Sequence, residues 1–390
     1  MANSKKTTAA TEQGRSMAFL ALKPYLERTI ITPREEVVAG ADWVRWGDKN
    51  SYPQYLEGLS AECTTLHTIQ MGLIDYIGGN GTTVEGLPAD NIDGHGMTAR
   101  ELVRATGKDI ARLGGWAWEL IPDKNGNLAE VHPMRLKYVR TNKEGDVVYY
   151  SEKWTSARST GGVIDALVYP RWSGAFAQDP KTGAWRSAVL LVKCWGDNVY
   201  PEPIYAAAVK CCEIERGVDE FHLGNLERGF MGNYIVNFCN GIPTDPEKAE
   251  IEKNINQKFA GTGNAGRILM NFAVDKDHLA TIAKMDVADF ADKYATLVKH
   301  CRQQIFTSFR AAPVLFGIPT DNNGFSVDDY DNAFRLFNRT IVRPIQELIC
   351  EAWEKATGGA MTIEPFTIEG AEEAAGEGTT TTEGEGGPEA

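Results

Sequence analysis

From Ser51, apolar residues recur at helical intervals. Tyr55, Leu59, Leu66, Ile69, Leu73 and Ile77 fall near one face, and Gly78-Gly79 ends the run. A second helix is predicted from Thr98, because Thr98-Ala99-Arg100-Glu101 has the reciprocal form of a capping box; it carries Leu102, Ala105, Ile110 and Leu113 and stops at Gly114-Gly115. The period then changes to two. Trp116–Ile121 reads as a strand, Asp123–Asn127 as its turn and Leu128–Val131 as the returning strand. Further strands are expected at Leu136–Val139, Val147–Tyr150 and Val163–Val168. A hairpin around Asp179–Gly183 then leads into Val189–Trp195. Mostly antiparallel pairing beside helices predicts an α+β class.

Beyond Pro201 and Pro203 the helical period returns. Ile204, Ala207, Cys211, Ile214, Val218 and Phe221 step by three and four, the seam of a helix packed against other long helices. A compact α/β insert follows: a strand at Tyr234–Phe238, a helix opened by Thr244-Asp245-Pro246-Glu247 with Thr244 or Asp245 as its cap, a glycine loop at Gly261–Gly266, and a strand at Arg267–Phe272. A second long helix is expected over 286–310, with Phe290, Tyr294, Leu297, Cys301 and Ile305 on one face and Ala311-Ala312-Pro313 at its end. After the polar loop Pro319–Phe325, a last helix runs from a capping box at Ser326–Asp329 to about Thr357. Its stripe is Tyr330, Phe334, Phe337, Ile341, Leu348 and Ala352, and Pro344 inside it predicts a kink.

Composition narrows the possible roles. The 390 residues, 43% hydrophobic and 24% charged, suit a folded chain of two or three domains. No stretch approaches the roughly 20 apolar residues of a membrane span. Met1–Arg15 shows no apolar core of a secretory signal, and the first 40 residues read as an extended or loosely helical arm. The net charge is −13. Seven Glu in Thr367–Ala390 account for much of it and predict a solvated, disordered tail, leaving a body still acidic enough to disfavour tight phosphate-driven binding to nucleic acid. Seven scattered Cys with no CxxC argue against a disulfide framework or zinc ribbon and fit a reducing compartment.

Candidate chemistry is sparse. Gly261-Thr262-Gly263-Asn264-Ala265-Gly266-Arg267-Ile268 has P-loop glycine spacing, but Arg267 and Ile268 replace the lysine and hydroxyl that hold phosphate and magnesium, and the loop follows a helix rather than a strand. Cys211-Cys212 with Glu215 and His222 could be imagined as metal ligands; small buried hydrophobes are the plainer reading of the thiols. The six His are dispersed, with no HExxH or GxSxG, so no enzyme, metal or cofactor is expected. Arg335, Arg339 and Arg343 recur every four residues off the apolar stripe. They read either as a solvated face paired with Asp331 and Glu347 or as a basic rail facing another subunit or DNA.

In succession these elements resemble the portal (head-to-tail connector) proteins of tailed double-stranded DNA bacteriophages, over roughly residues 50 to 357. The resemblance is carried by Gly114–Ile121 through Asn125-Gly126-Asn127-Leu128 and Val131-His132-Pro133; by Phe259–Arg267; by Ile305-Phe306 with Ala311-Ala312-Pro313-Val314-Leu315-Phe316-Gly317; and by Phe337 with Arg343-Pro344-Ile345-Gln346. Tyr200-Pro201-Glu202-Pro203 stands where the family often has glycine-serine-proline, and Ala312 where many members have valine.

The resemblance implies a structural, non-enzymatic ring of about twelve copies at one capsid vertex, through which DNA is packaged and ejected. It implies an N-terminal arm (1–40), an α+β wing (41–200), stem helices (201–230 and 286–310) around an α/β clip (231–285), a tunnel-loop region (311–325), a long kinked wing/crown helix (326–360) and an acidic disordered tail (361–390). Thr320, Asp321, Asn322, Asn323 and Gly324 would form the tunnel loop. Asn240, Thr244, Glu247, Gly261, Asn264, Gly266 and Arg267 would belong to the clip that docks terminase and adaptor. Implied partners are further copies of the chain, the major capsid protein, the terminase large subunit, a head–tail adaptor and transient duplex DNA, in the virion and, during assembly, the host cytoplasm. Another virion component, such as a minor capsid or connector protein, is the alternative; an enzyme with an unrecognised Cys/His or carboxylate site is a more distant one.

Overall fold

The strand expected at Trp116–Ile121 is Gly115–Pro122 in the computed structural model, the middle of a three-stranded antiparallel sheet between Ala188–Lys193 and Leu128–Met134. The structure describes residues 15–17, 31–37, 42–154, 165–227, 234–238, 268–273, 288–318 and 327–367, with 244, 246, 247 and 250 singly. The chain divides into two units, Ile31–Cys212 with Arg302–Ala390, and Met1–Ile30 with Glu213–Cys301.

In the first unit the central strand does not alternate. Trp116, Ala117, Trp118 and Leu120 are all buried, so both of its faces are covered. Trp118 lies toward the helix Ala99–Leu113, where its indole N–H donates to Thr106 Oγ1 at 2.9 Å, and its ring meets Trp353 edge-on at 6.4 Å. The helix starts as its sequence predicts. Glu101 N–H donates to Thr98 Oγ1, Glu101 Oε2 accepts from Thr98 N–H, and Gly114 closes the far end in the left-handed region. No side chain fits at Gly114, since a Cβ would lie 2.1 Å from the Glu202 carbonyl oxygen.

Three local expectations change; one is that Met361–Glu364, expected in the disordered tail, is a strand paired with Gly81–Val84. The helical run after Ser51 is two helices, Tyr52–Glu62 and Thr64–Gly78, broken where Cys63 turns extended. Leu136–Tyr138 is a turn of 3₁₀ helix, and the strand follows at Val139–Thr141, pairing with Val147–Tyr150 and through it with Leu167–Pro170. The Asp123 turn forms as expected, with its Oδ1 accepting from Asn125 and Asn127 N–H at 2.7 and 2.8 Å.

The C-terminal helices pack on this core. Val327–Phe337 and Arg343–Thr357 are joined by a π turn, Asn338–Val342. Where Pro344 offers no N–H, the turn widens to a five-residue bond from Arg343 N–H to Asn338 O. The wider turn also moves the buried stripe: Ile345, Ile349 and Trp353 are buried, and Leu348 is half-exposed. Gln346 reaches the end of helix Thr64–Gly78 and donates to the Tyr76 and Ile77 carbonyls at 3.3 and 3.1 Å, satisfying acceptors that the helix terminus leaves open.

In the second unit, Tyr234–Phe238 and Ile268–Ala273 pair in parallel, as an α/β insert requires. The third strand comes from the arm, with Arg15–Met17 pairing antiparallel with Asn271–Ala273. This unit also holds most of the long helices Val209–Glu227 and Ala288–Ser308, within which the boundary between units falls.

Candidate functional site

The basic rail stands on the joined C-terminal helices. Arg335, Arg339 and Arg343 are all exposed, and among the described residues none is held in an ion pair. The internal pairing with Asp331 and Glu347 that their spacing allows is therefore not made, and three guanidinium groups are left to solvent. Between them Leu336 is 65% exposed, an apolar side chain left largely to solvent. The rail keeps its footing because Phe337, Ile341 and Ile345 are buried beneath it.

The two long helices present a second unpartnered surface. Within their unit, Phe221 and Tyr294 bring the helices together with ring centroids 5.3 Å apart. The first helix does not bury the seam its spacing predicts. Val218 is buried, but Ile214 and Phe221 are exposed, as are the adjacent Leu223, at 57%, and Leu297 on the other helix. Cys212, Glu215 and Arg216 are buried instead, and the Arg216 guanidinium lies 2.5 Å from the Glu213 carboxylate. A 3₁₀ turn at Ala206–Ala208 precedes the helix, so a strict 3.6-residue repeat counted from Ile204 does not carry through.

Of the clip positions, Thr244 and Glu247 are described. Thr244 donates through its N–H and Oγ1 to Glu247 Oε2, each at 2.8 Å, the carboxylate half of a capping box. Those bonds hold the Glu247 carboxyl below its ordinary range. Asn240, Gly261, Asn264, Gly266 and Arg267 lie outside the described residues, as do Thr320, Asp321, Asn322, Asn323 and Gly324.

Potential ligand atoms do not converge on Cys211, Cys212, Glu215 and His222. Among the described residues they converge on His95, Glu130 and His132, within 4.8 Å of one another. Sequence reading passed over this group because its members are separated along the chain. The available signal was Glu130-x-His132 on a strand, which sets both side chains on one face.

Neither a family model nor a curated protein matches the chain. Solved structures do. A chain of the virion of a native gene transfer agent particle superposes with a TM-score of 0.50 at 13% identity, covering 83% of this chain and 86% of that one. A chain from the neck of an empty gene transfer agent particle, computed with C6 symmetry, gives 0.51 at 14% over the same shares. The fold is that of a particle-neck chain. An HK97-family phage portal protein from Corynebacterium diphtheriae is also similar, with a TM-score of 0.45 at 11% identity over 83% of this chain and 98% of that one. At the level of fold, the chain is similar to chains of a virion and of a particle neck.

Proposed function

We propose that this chain is a portal subunit, a structural, non-enzymatic component that associates with copies of itself into a ring at one vertex of a virus-like particle. The observation that carries the reading is the uncovered apolar surface on the long helices. Ile214, Phe221, Leu223 and Leu297 stand exposed on elements whose sequence period is that of a packed seam. Repetition of the chain around an axis supplies the missing partner to every copy at once and closes without leaving an open end. The fold shared with a neck chain in a particle computed with C6 symmetry supports this, because a ring of six or of twelve obeys that symmetry.

In this reading 201–230 and 286–310 are the stem, 231–285 the clip that meets terminase and then the head–tail adaptor, 41–200 the wing, and 318–325 the tunnel loop. The major capsid protein surrounds the ring. Duplex DNA passes through it during packaging and ejection. The net charge of −13 then has a mechanical sense. Each Lys or Arg on a phosphate adds affinity by counterion release, a ring multiplies each contact by its copy number, and a conduit must let its cargo slide.

Sedimentation velocity and negative-stain microscopy of the purified chain test the reading. Rings with a central hole are expected, and Ile214→Glu with Phe221→Glu is expected to shift assembly toward monomer by about tenfold or more in the required concentration. A monomer at all concentrations overturns it and favours another virion component. Tight, steeply salt-dependent binding of the isolated chain to duplex DNA counts against the sliding conduit.

A further inference from the structure

The loop Asn91–Gly96 is built to hold a histidine beside a strand. Ile92 is buried, its N–H donates to the Met97 carbonyl, and its own carbonyl accepts from Val131 N–H at 2.9 Å, which ties the loop to the strand Leu128–Met134. Asp93 Oδ1 accepts from the His95 and Met97 N–H groups at 2.8 and 2.9 Å and folds the loop back on itself. Gly94 sits at φ +72°, and a Cβ there would come within 2.8 Å of Glu130 Oε1, so glycine serves both the turn and the approach of the carboxylate.

The side chains so gathered are a ligand set. His132 Nε2 lies 2.8 Å from Glu130 Oε2, and the His95 ring meets the His132 ring edge-on at 6.0 Å. His95 Nδ1 is 2.8 Å from the Asp93 carbonyl. A carbonyl only accepts, so Nδ1 carries the proton and Nε2 keeps its lone pair for a metal, the arrangement in which ligating histidines are usually oriented. Two donors at about 2.0–2.1 Å from one ion stand roughly 3 Å apart, which the Glu130–His132 pair already satisfies. His95 is exposed between two positive-φ glycines, Gly94 and Gly96, and closes the remaining distance by side-chain rotation. Glu119 is His132's cross-strand partner, and Asp93 braces the loop, so two further carboxylates favour a cation nearby.

We propose that His95, Glu130 and His132 form a site for a divalent transition-metal ion of the zinc class, with a remaining position for water or for a group from another molecule. Two imidazoles and one carboxylate match that class; magnesium and calcium prefer all-oxygen shells. The ion takes the place of the single proton between His132 Nε2 and Glu130 Oε2 and couples the loop to the hairpin.

The test is calorimetric titration of chelator-treated full-length protein with zinc chloride, alongside His95→Ala, Glu130→Gln and a Cys211→Ser/Cys212→Ser control. One equivalent per chain is expected, with affinity lost at least about tenfold in the first two variants and kept in the control. Glu130→Gln preserves volume and a hydrogen bond, and circular dichroism checks each variant's fold. Cobalt substitution should give a visible spectrum without thiolate charge transfer. Binding unchanged by His95→Ala and Glu130→Gln, binding lost only in the cysteine control, no binding at all, or a preference for calcium or magnesium over zinc would each overturn the site.

Discussion

Arg140 donates through Nε to Asn50 Oδ1 at 2.5 Å, joining the strand Val139–Thr141 to a turn ninety residues earlier. The guanidinium is fully buried, and among the described residues no carboxylate pairs with it. Its other N–H groups reach the carbonyls of Asn50, Lys137 and Val139, and the rings of Trp46 and Trp154 flank it at 5.5 and 5.2 Å. Burial pulls its pKa down to about 10, still far above neutrality, so the charge stays and its contacts are indispensable. Arg140→Met should destabilise the chain by about 3 kcal/mol, because several buried acceptors lose a charged donor at once. Arg140→Lys should recover little, lacking the planar fork. Urea midpoints read both.

Gly72 lies inside the helix Thr64–Gly78, where alanine would ordinarily add up to about 1 kcal/mol. A Cβ there would sit 2.5 Å from the Phe316 ring, which contacts Tyr76, Phe306 and Phe337. Overpacking costs about 1–3 kcal/mol and outweighs the propensity. Gly72→Ala should therefore lower the thermal midpoint, and Phe316→Leu in the same chain should restore part of the loss.

Asp109 accepts from Leu136 N–H at 2.8 Å, yet burial raises its carboxyl from 3.8 to about 7. Between those values the folded state holds a proton that the unfolded chain has released. Stability from this group is thus complete below about pH 4 and declines as pH rises toward 7, by no more than about 1.4 kcal/mol per pH unit. Water still reaches part of the side chain, so the observed slope should be shallower. Denaturation of wild type and Asp109→Asn between pH 5 and 8 isolates it: the variant should lose this component of the slope.

Arg335, Arg339 and Arg343 are exposed and unpaired among the described residues, so replacing all three with Ala should move stability by no more than about 0.5 kcal/mol per site. If they face the conduit, the salt slope of residual duplex binding by assembled rings should fall by about one per arginine removed from contact. A large drop in melting temperature would assign them to the fold instead.

Deleting Asn322 to Gly324 should leave ring assembly intact while impairing DNA passage or retention in packaging assays. Rings that fail to form would make the loop structural.

What could be read beforehand follows the range of the interaction. Thr98 with Glu101, Gly114, and the Asp123 turn were legible because each is completed within a few residues. The π turn was not. Pro344 announces a disturbance but not its form, and the wider turn carries the stripe from Leu348 to Ile349 and Trp353. The break at Cys63 has no Gly or Pro to mark it. The uncovered seam was legible as a period, though not as a surface, since 3.6-fold spacing does not say whose side chains it will meet. His95 and His132 come together through a loop bond to Val131 that no local spacing encodes.

The strand Arg15–Met17 also sets a timetable. Its partner, Asn271–Ala273, leaves the ribosome long after it does, so this strand waits for its place at the sheet's edge. During that wait both strand edges are open to other molecules, and neighbouring copies emerging at the same time compete for the same pairing.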